Sequence, residues 1–448
     1  MAKGNIIRFG PQDWEHARNE VIENFTPGTP INEAELFAGR QDTVRQLQDT
    51  VLEPGRHAII FGERGVGKTS IANVFHRSLN TETRRLHVIR INADAADTFD
   101  SLWRKVFRRL KRGDDGTVVW ADQTHPQPIT PDDVQIEMTD FYPHETPIVI
   151  IDEFDRIVDN GCRVLFADAI KTLSDHTVNC TVIVVGVAES IVDLLREHAS
   201  ITRALVQVPM RRMTADEIRD IVGVRAKRLR MSVESEALWR LSFFAAGLPY
   251  YAHLMGKHAV LKAIEARSQI VRVSHVQEAM TAGLNEVDYS VRDAYARATR
   301  RAYRNENIYP QVLAAAALTE HDGVGRFGAS DVAEPLSAIM GQTYKTPSFS
   351  FHVKEMCEND RGPVFRKWEF KKTYRFAFIE PLMKPYIIMK SLADGVVTED
   401  IINHFTSKRQ TELSIWMPQP SLQSANGAQA VRPGRARRRP SDLFQQQE

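Results

Sequence analysis

The 448-residue sequence predicts an α/β fold built on a parallel five-stranded sheet, followed by a helical lid and a small C-terminal domain. Two patterns predict this fold class. Between about residues 57 and 208, short β-branched runs alternate with helical segments, which is typical of βαβ units in a parallel sheet. Beyond residue 214 the apolar spacing becomes helical, and an alternating β-hairpin pattern returns only near residue 364.

The composition is that of an ordinary globular protein, with 43% apolar residues, 26% charged residues and a formal net charge of +1. The longest apolar runs are shorter than the ~20 residues that a membrane helix requires, and the N-terminus has no apolar signal core. Cys162, Cys180 and Cys357 show no metal-type spacing and are expected to be reduced core thiols. We therefore expect a cytoplasmic protein without a membrane partner, in which any nucleic-acid surface comes from local basic patches.

One motif predicts a nucleotide site. G-x-x-x-x-G-K-T at residues 62–69, here called the phosphate loop, lies between a strand-like run and a helical run, as in P-loop NTPases. Its glycines let backbone amides curl around a triphosphate, and the helix N-terminus adds partial positive charge. We expect Lys68 to reach the β- and γ-phosphates of ATP, and the Thr69 hydroxyl to bind Mg²⁺. The residues predicted to contact the nucleotide are Gly62, Glu63, Arg64, Gly65, Val66, Gly67, Lys68, Thr69 and Ser70.

A second motif is the apolar run Ile148–Ile151 followed by Asp152 and Glu153. An unbroken β-branched run is typical of a strand covered on both faces of a parallel sheet. Carboxylates at the end of such a strand are costly unless they bind something, and ligands bind at that edge of the sheet. We expect Asp152 to hold Mg²⁺ through its water shell, and Glu153 to orient and deprotonate the attacking water. The alternative is a strand that ends at an exposed Asp-Glu pair, but the upstream phosphate loop favours catalysis.

The remaining core elements follow from the same patterns. Strands are predicted at 57–61, 86–91, 148–151, 181–186 and 204–208. Helices are predicted at 14–25, 41–52, 97–111, 159–175 and 189–198. The stretch 113–145 is predicted to be a loop, because it contains six prolines or glycines and no helical period.

The C-terminal half is predicted to be mostly helical. Capping boxes at Thr214 and Ser274 indicate helix starts in a lid of about four helices, and a linker helix is predicted at 287–304. Helices at 308–319, 331–340 and 349–359, followed by a hairpin at 364–378, give the layout of a winged helix. The predicted domains are an N-terminal arm (1–36), an ATPase core (37–212), a lid (213–285), a linker helix (286–306), a winged-helix domain (307–397) and a C-terminal extension (398–448) with a basic tail at Arg432–Arg439.

With these motifs together, the chain resembles AAA+ ATPases of the replication-initiator type, the origin-recognition-like ATPases, and especially their prokaryotic relatives in mobile elements and defence loci. The likeness covers roughly residues 20–395. It implies ATP hydrolysis and association of the protein with its own copies or with partner proteins. Phe37-Ala38-Gly39-Arg40 resembles the family's Gly-Arg box, which would lie beside the adenine; the alternative is a simple helix start. Arg203 falls where the family places an arginine finger that acts on a neighbouring subunit, or is an ordinary surface arginine.

The chain departs from the family pattern in two places. The family often has a polar sensor after the fourth strand, which here would be Glu189 or Ser190, or is missing. The family's lid often carries an arginine that touches the γ-phosphate, whereas this chain has Gly247-Leu248-Pro249-Tyr250-Tyr251, a pattern shared with signalling and transposition-regulator ATPases. Hydrolysis is therefore expected to be slow or to require assembly.

The predicted winged helix suggests double-stranded DNA as a partner. Its hairpin carries the candidate DNA-binding residues Arg366, Lys367, Lys371, Lys372 and Arg375. Its predicted recognition helix at 349–359 is less suitable, because acidic residues accompany Lys354 and His352. The sequence therefore predicts an ATP-dependent switch on DNA. The alternative is a regulatory ATPase, for example in anti-phage defence, whose winged helix binds an effector protein.

Overall fold

The computed structural model describes residues 10–31, 33, 37, 39–79, 85–112, 119–125, 127–140, 145–187, 201, 203–301, 307–322, 325–370 and 373–405. The described residues up to Ile402 belong to one compact unit. Of the second unit, Asn403–Glu448, residues 403–405 are described and are helical. The predicted helix at 189–198 and the predicted basic tail lie outside the described residues.

The centre of the molecule is a parallel sheet, whose order places the strand before the phosphate loop between two later strands. The strands are β1 (His57–Gly62), β2 (Arg85–Asn92), β5 (Glu145–Asp152), β6 (Thr181–Gly186) and β7 (Leu205–Met210). Among the described residues the spatial order of these five strands is β2-β5-β6-β1-β7, and every neighbouring pair is parallel. All carboxyl ends therefore lie at one edge. The prediction of a parallel five-stranded sheet is confirmed.

Apolar side chains cover both faces of this sheet. Ile148 and Ile150 of β5 join the core cluster on one face, while Val149 and Ile151 join the cluster on the other. Successive side chains in a strand point to opposite faces, so a strand buried on both sides must be apolar at every position. The β-branched run of β5 therefore ends abruptly at Asp152, which brings its carboxylate to the carboxyl edge.

Six helices are described before β6, and one of them corrects a prediction. The helices are α1 (Pro11–Asn24), α2 (Gln41–Leu52), α3 (Lys68–Val74), α4 (Phe99–Phe107), α5 (Pro131–Thr139) and α6 (Asn160–Asp175). The prediction of a loop at 113–145 is wrong, because α5 lies within it. Thr130 caps α5 by accepting a hydrogen bond from the Asp133 amide, and Pro131 takes the first helical position, where proline costs no hydrogen bond.

The predicted helix at 97–111 is also shorter than expected. It begins after the cap residue Thr98 and ends at Phe107. Lys111–Arg112 (β3) then pairs antiparallel with Val119–Trp120 (β4). Proline and glycine punctuate turns at some positions and helix starts at others, as Pro131 shows, so counting them without their positions predicts the wrong structure.

Beyond β7 the chain forms a helical lid. In the described part of the chain its four helices are α7 (Ala215–Arg228), α8 (Ser235–Ala245), α9 (Pro249–Glu265) and α10 (Val273–Glu286), and two short parallel strands, β8 (Ser232–Val233) and β9 (Ile270–Val271), join its loops. The capping box at Thr214 is present, since its hydroxyl accepts from the Glu217 amide at 3.2 Å. The predicted capping box at Ser274 is wrong. The residue that caps α10 is Arg272, two residues before Ser274, and the His275 ring accepts from the Arg272 amide at 3.0 Å.

Helix α1 packs against the lid. Val21 and Phe25 are fully buried, and the Phe25 ring occupies the space that a side chain at Gly256 of α9 would need. The guanidinium of Arg225, fully buried on α7, donates to the Asn24 carbonyl at 2.9 Å and so satisfies the C-terminal end of α1.

The C-terminal part of the first unit combines helices with a small sheet. Its elements are α11 (Tyr289–Thr299), α12 (Tyr309–Leu318), β10 (Phe327–Gly328), α13 (Ala333–Met340), α14 (Thr346–Glu355), β11 (Phe365–Phe370), β12 (Thr373–Phe378) and α15 (Met383–Ala393). Among the described residues the sheet is antiparallel, in the order β10-β12-β11, and Phe327, Phe365 and Phe376 fill its inner side. Helix α14 begins three residues before its predicted start and ends at Glu355, because Pro347 is accepted in a first helical turn. No helix in the described ranges is long and apolar enough to cross a membrane.

Candidate active site

The phosphate loop leaves β1 at Gly62 and enters α3 at Lys68, as the sequence predicts. Gly62 passes so close to β7 that a Cβ there would lie 2.4 Å from the Met210 carbonyl oxygen. Gly67 precedes α3 with φ at +92°, a conformation that residues with side chains rarely adopt. Gly62 thus allows a close approach of two backbones, and Gly67 allows the positive φ with which the loop enters α3.

Lys68 lies inside this cradle. Its Nζ donates to the carbonyl oxygens of Gly62 at 2.9 Å and Glu63 at 2.8 Å, and only 9% of the residue is exposed. Burial lowers the pKa of Lys68 from 10.5 to about 8, while the nearby carboxylates of Asp155, Asp152 and Glu63 act in the opposite direction. The ammonium group is thus held by two neutral carbonyls, which triphosphate oxygens can replace.

Asp152 meets Thr69 at the carboxyl edge of the sheet. Its Oδ2 accepts from the Thr69 hydroxyl at 2.9 Å, and its Oδ1 accepts from the Glu153 amide at 2.9 Å. A hydroxyl and a carboxylate are oxygen ligands of the kind Mg²⁺ prefers, so these residues fit a magnesium ion with several bound waters. Within the described ranges no three His, Cys, Asp or Glu side chains converge on one point, so the magnesium prediction depends on Thr69 and Asp152.

Arg90 is a member of the site that the sequence analysis missed. It lies on β2, and its Nη2 donates to Asp152 Oδ2 at 2.9 Å while its Nη1 donates to Asn73 on α3. Asp152 is 4% exposed, so Arg90 supplies the countercharge that a buried carboxylate requires. The available signal was a charged residue inside the otherwise β-type run 86–91.

Glu153 stands at the start of a single helical turn, Phe154–Arg156, with φ at +59°. Non-glycine residues in this left-handed region are uncommon and occur often at functional sites. Its Oε2 pairs with Arg156 Nη1 at 2.9 Å, and both side chains are about half exposed. The carboxylate is therefore accessible, but Arg156 must release it before it can act as a base.

Asp155 is a second residue that the sequence analysis missed. Its Oδ1 accepts from the Val187 amide at 2.7 Å, and a Cβ on Gly186 would lie only 2.9 Å from the same oxygen. It is also the carboxylate with the largest effect on the pKa of Lys68. Asp155 thus links the end of β6 to the phosphate loop, at the place where the resemblance implied a polar sensor. The candidates Glu189 and Ser190 lie outside the described residues.

The other side chains of the phosphate loop contact separate parts of the chain. Glu63 pairs with Arg212 just beyond β7 at 2.7 Å, and Arg64 pairs with Glu380 in the C-terminal part at 3.0 Å. Val66 is buried, and the Ser70 hydroxyl accepts from the Ile31 amide at 3.2 Å. The loop is therefore surrounded by the core, the lid and the C-terminal part together.

Arg40 is buried beside the lid. Its guanidinium donates to the Arg211 carbonyl and contacts Met210 Sδ, and its own amide donates to Glu217 at 3.2 Å. Burial lowers the pKa of Arg40 to about 10, although the Glu217 carboxylate opposes the shift. These contacts tie the start of α2 to the end of β7 and to α7, and the adenine-binding role of Arg40 stays a prediction.

Arg203 does not join the other predicted catalytic residues. It is exposed and lies two residues before β7, whose first residue pairs with His57 at the start of β1. Because the strands are parallel, Arg203 lies at the amino edge of the sheet, opposite the edge that carries Asp152. It can act as an arginine finger only on a nucleotide bound by another subunit.

The predicted DNA-binding residues divide between two faces of the β11–β12 hairpin. Trp368 pairs across the strands with Arg375, so Arg366, Trp368 and Arg375 share the outer face, while Lys367 lies on the opposite face. The Arg326 guanidinium stacks 4.9 Å from the Trp368 ring, which adds a further cation to the outer face. Arg375 is 3.4 Å from Asp331, so part of its charge is compensated. Lys371 and Lys372 lie outside the described residues.

A known family matches the part of the chain that carries the phosphate loop and Asp152. Residues 51–195 match the family described as AAA domain. A search of curated proteins gives no match. Among solved structures, ORC1 of Aeropyrum pernix in complex with DNA is similar with a TM-score of 0.45 and 14% identity, covering 86% of this chain and 97% of that chain.

Two further structures are similar at the same level. A Walker-type ATPase of Pyrococcus abyssi has a TM-score of 0.46 and 16% identity, covering 81% of this chain and 99% of that chain. Cdc6p of Pyrobaculum aerophilum has a TM-score of 0.40 and 14% identity, covering 84% and 98%. The family match and the phosphate loop at the edge of the parallel sheet lead to one conclusion: the chain contains an AAA-type domain with the P-loop fold, which implies nucleotide binding.

Proposed function

We propose that this protein is an AAA+ ATPase that binds and hydrolyses ATP with Mg²⁺, assembles with its own copies or with partner proteins, and acts on double-stranded DNA through a winged helix. The observation that carries the proposal is the convergence of Lys68, Thr69 and Asp152 at one edge of the sheet. Parallel strands and a glycine cradle fix this arrangement through backbone packing, so the site is organised in advance for a phosphate-bearing ligand.

Each residue has a separate chemical task. Bound ATP and Mg²⁺ supply the phosphoanhydride bond and the divalent charge that neutralises its oxygens. Lys68 would exchange its two carbonyl acceptors for phosphate oxygens, and Thr69 and Asp152 would hold the ion. Glu153 would accept the proton of the attacking water at Oε2 once its ion pair with Arg156 opens.

Assembly is proposed because Arg203 lies at the edge of the sheet opposite the site of its own chain. A preparation that mixes Arg203→Ala subunits with Glu153→Gln subunits should recover ATPase activity, since a mixed interface can pair an intact base with an intact finger. Specific activity should also rise with protein concentration. Mixed oligomers without recovered activity would leave Arg203 as a surface residue.

DNA binding is proposed from the C-terminal elements. Helix, strand, two helices and a hairpin follow in the order of a winged helix, and the outer face of the hairpin combines Arg326, Arg366 and Arg375 with Trp368. Cations that lie over an aromatic ring suit phosphate contacts, because the ring holds the side chain in place without neutralising it.

One observation favours the second candidate, a regulatory ATPase that binds an effector protein. Helix α14, the proposed recognition helix, exposes Phe351 at 62% and has Lys354 as its basic residue beside His352 within the described helix. A large exposed aromatic side chain on a weakly charged helix is more typical of a protein interface than of a phosphate-lined groove.

Duplex binding by the ATP-loaded protein separates the two candidates. The slope of log affinity against log salt is negative, and each DNA phosphate that the protein no longer neutralises should make it less steep by about 0.9. Arg366→Ala/Arg375→Ala should therefore flatten the slope by about two units. Arg219→Ala/Arg297→Ala removes the same charge from α7 and α11 and serves as the matched control. If the ATP-loaded protein binds no duplex at low salt, the effector-binding function becomes the better account.

A further inference from the structure

The C-terminal part of the chain touches the tip of the phosphate loop. Arg64 Nη1 lies 3.0 Å from Glu380 Oε2, and a Cβ on Gly65 would lie 3.0 Å from the Leu382 side chain. Two consecutive loop residues therefore meet the short segment between β12 and α15. No motif in the sequence predicts this contact, because more than three hundred residues separate its two sides.

The same segment is anchored to the lid. The buried hydroxyl of Tyr251 on α9 donates to the Leu382 carbonyl at 2.6 Å. Pro249, at the start of α9, lies 3.8 Å from the position a Cβ on Gly67 would occupy. The lid and the C-terminal segment thus both contact the phosphate loop. A conformational change in this loop would therefore affect both of them.

The charges around Arg64 place its guanidinium between the nucleotide site and the C-terminal part. Arg64 lies in the same loop as Lys68, four residues before it, and its charge adds to the burial that lowers the pKa of Lys68. On its other side it pairs with Glu380, and its charge adds to the hydrogen bonds with Ser290 that lower the pKa of Asp288 at the start of α11. Arg64 itself is 64% exposed, so the side chain is free to turn, while Glu380 is 26% exposed.

We propose that Arg64 distinguishes ATP from ADP by exchanging Glu380 for the γ-phosphate, and that this exchange loosens the segment before α15 from the phosphate loop. The inference rests on the proposed function, because it requires the site to bind ATP. ADP has no γ-phosphate, so it leaves the Arg64–Glu380 pair in place. A guanidinium binds a phosphate and a carboxylate with the same donor fork, which makes the two direct competitors.

The expected effect is modest. Partly exposed ion pairs change an equilibrium by about two- to fivefold, so the pair biases the C-terminal segment and does not lock it. The Tyr251 hydrogen bond and the Leu382 contact remain after Arg64 turns away. A bias of this size changes the proportion of molecules in which the segment is loosened, but it does not convert one state fully into the other.

Hydrogen exchange of the peptide that covers Glu380 and the first turns of α15 tests the inference without depending on catalysis. In the wild type, a non-hydrolysable ATP analogue with Mg²⁺ should speed exchange of this peptide about two- to fivefold relative to ADP. Arg64→Ala and Glu380→Gln should exchange at the faster rate with either nucleotide. Glu380→Gln should also bind the ATP analogue about two- to fivefold more tightly, because its competitor is gone.

Two variants sharpen the test. Arg240→Ala breaks another ion pair, with Glu399, that joins the lid to the C-terminal part, and it should leave the nucleotide response intact. The charge-exchanged variant Arg64→Glu/Glu380→Arg should restore slow exchange with ADP but show no response to the ATP analogue.

Separate titration of nucleotide binding distinguishes the two ways in which the test can fail. If the wild type binds neither nucleotide, the proposed function is wrong. If both bind and the peptide exchanges at the same rate with each, the function stands and the role of Arg64 is overturned. A response that persists in Arg64→Ala would also overturn it.

Discussion

The carboxyl edge of the sheet and the outer face of the hairpin both collect charged residues, but they hold them in opposite ways. At the sheet edge Asp152 is 4% exposed and is paired with Thr69 and Arg90. On the hairpin Arg375 is 45% exposed and Arg326 lies over an indole ring. The first arrangement pairs its charges before a ligand arrives, whereas the second holds cations over a ring that does not neutralise them. Paired charges in a fixed geometry suit chemistry on one substrate, and exposed cations suit contacts to a repetitive phosphate backbone.

The largest expected effect tests whether the carboxyl edge of the sheet is catalytic. Glu153→Gln removes the base but keeps the shape, so ATP hydrolysis should fall by ~10²-fold or more while ATP affinity is retained. Lys68→Ala should instead weaken nucleotide binding itself. Turnover measured at saturating ATP, together with a binding titration, separates the two. Unchanged turnover in Glu153→Gln would show that Glu153 is not the catalytic base.

The second prediction uses the burial of Lys68. Since its pKa is lowered to about 8, ATP affinity should be constant below pH 8 and decline by up to about tenfold per pH unit above it. The same shift means that the charged lysine costs folding free energy below pH 8, and that this cost disappears as the pH rises toward 10.5. Lys68→Arg stays charged throughout and should show no such decline. A flat profile in the wild type would mean that the ammonium group is not desolvated.

The third prediction concerns Arg90, whose pairing distinguishes the sheet edge from the hairpin. Arg90→Gln leaves Asp152 without its countercharge and should lower the free energy of unfolding by about 1–2 kcal/mol. The value is below that of a fully buried pair because Arg90 is 32% exposed. Denaturant unfolding measures it, and Arg85→Gln, whose pair with Glu145 is exposed, is the control. Equal free energies of unfolding in the two variants would show that the Arg90–Asp152 ion pair does not stabilise the carboxyl edge of the sheet.

The smallest effect compares the two faces of the hairpin. Arg366→Ala should make the negative slope of log duplex affinity against log salt less steep by about 0.9, since the Arg366 side chain lies on the outer face with Trp368. Lys367→Ala, one residue away on the other face, should leave the slope unchanged. Equal effects of both substitutions would mean that charge, and not the outer face, determines binding.

The comparison also explains which features could be predicted from the sequence. The phosphate loop, the strand ending in Asp152 and the parallel sheet depend on local patterns, so their residues could be named in advance. Arg90 and Asp155 reach the site only through the pairing of β2 and β6 with β5, and that register is a tertiary property. Arg64 and Glu380 are still farther apart along the chain, so no local pattern predicts their contact.

Predictions from local sequence failed where one residue type is compatible with two different structures. Pro131 has the residue type of a helix breaker, although it follows a capping threonine and begins α5. Ser274 has the residue type of a cap, but the observed cap is Arg272, two residues earlier, and the His275 ring accepts from the Arg272 amide. Both errors concern helix starts, which local residue types locate less well than the helices themselves.

The close approach of Gly62 to Met210 has a consequence for how the protein is made. β1 pairs only with β6 and β7 among the described strands, and both leave the ribosome more than a hundred residues later. At ~5–20 residues per second, the phosphate loop is synthesised on the order of 10 s before both strands that flank β1 have been made. During that interval the apolar strand β1 has neither of its strand partners, so its unpaired edges are exposed. Nucleotide can assist folding only after β7 has been translated.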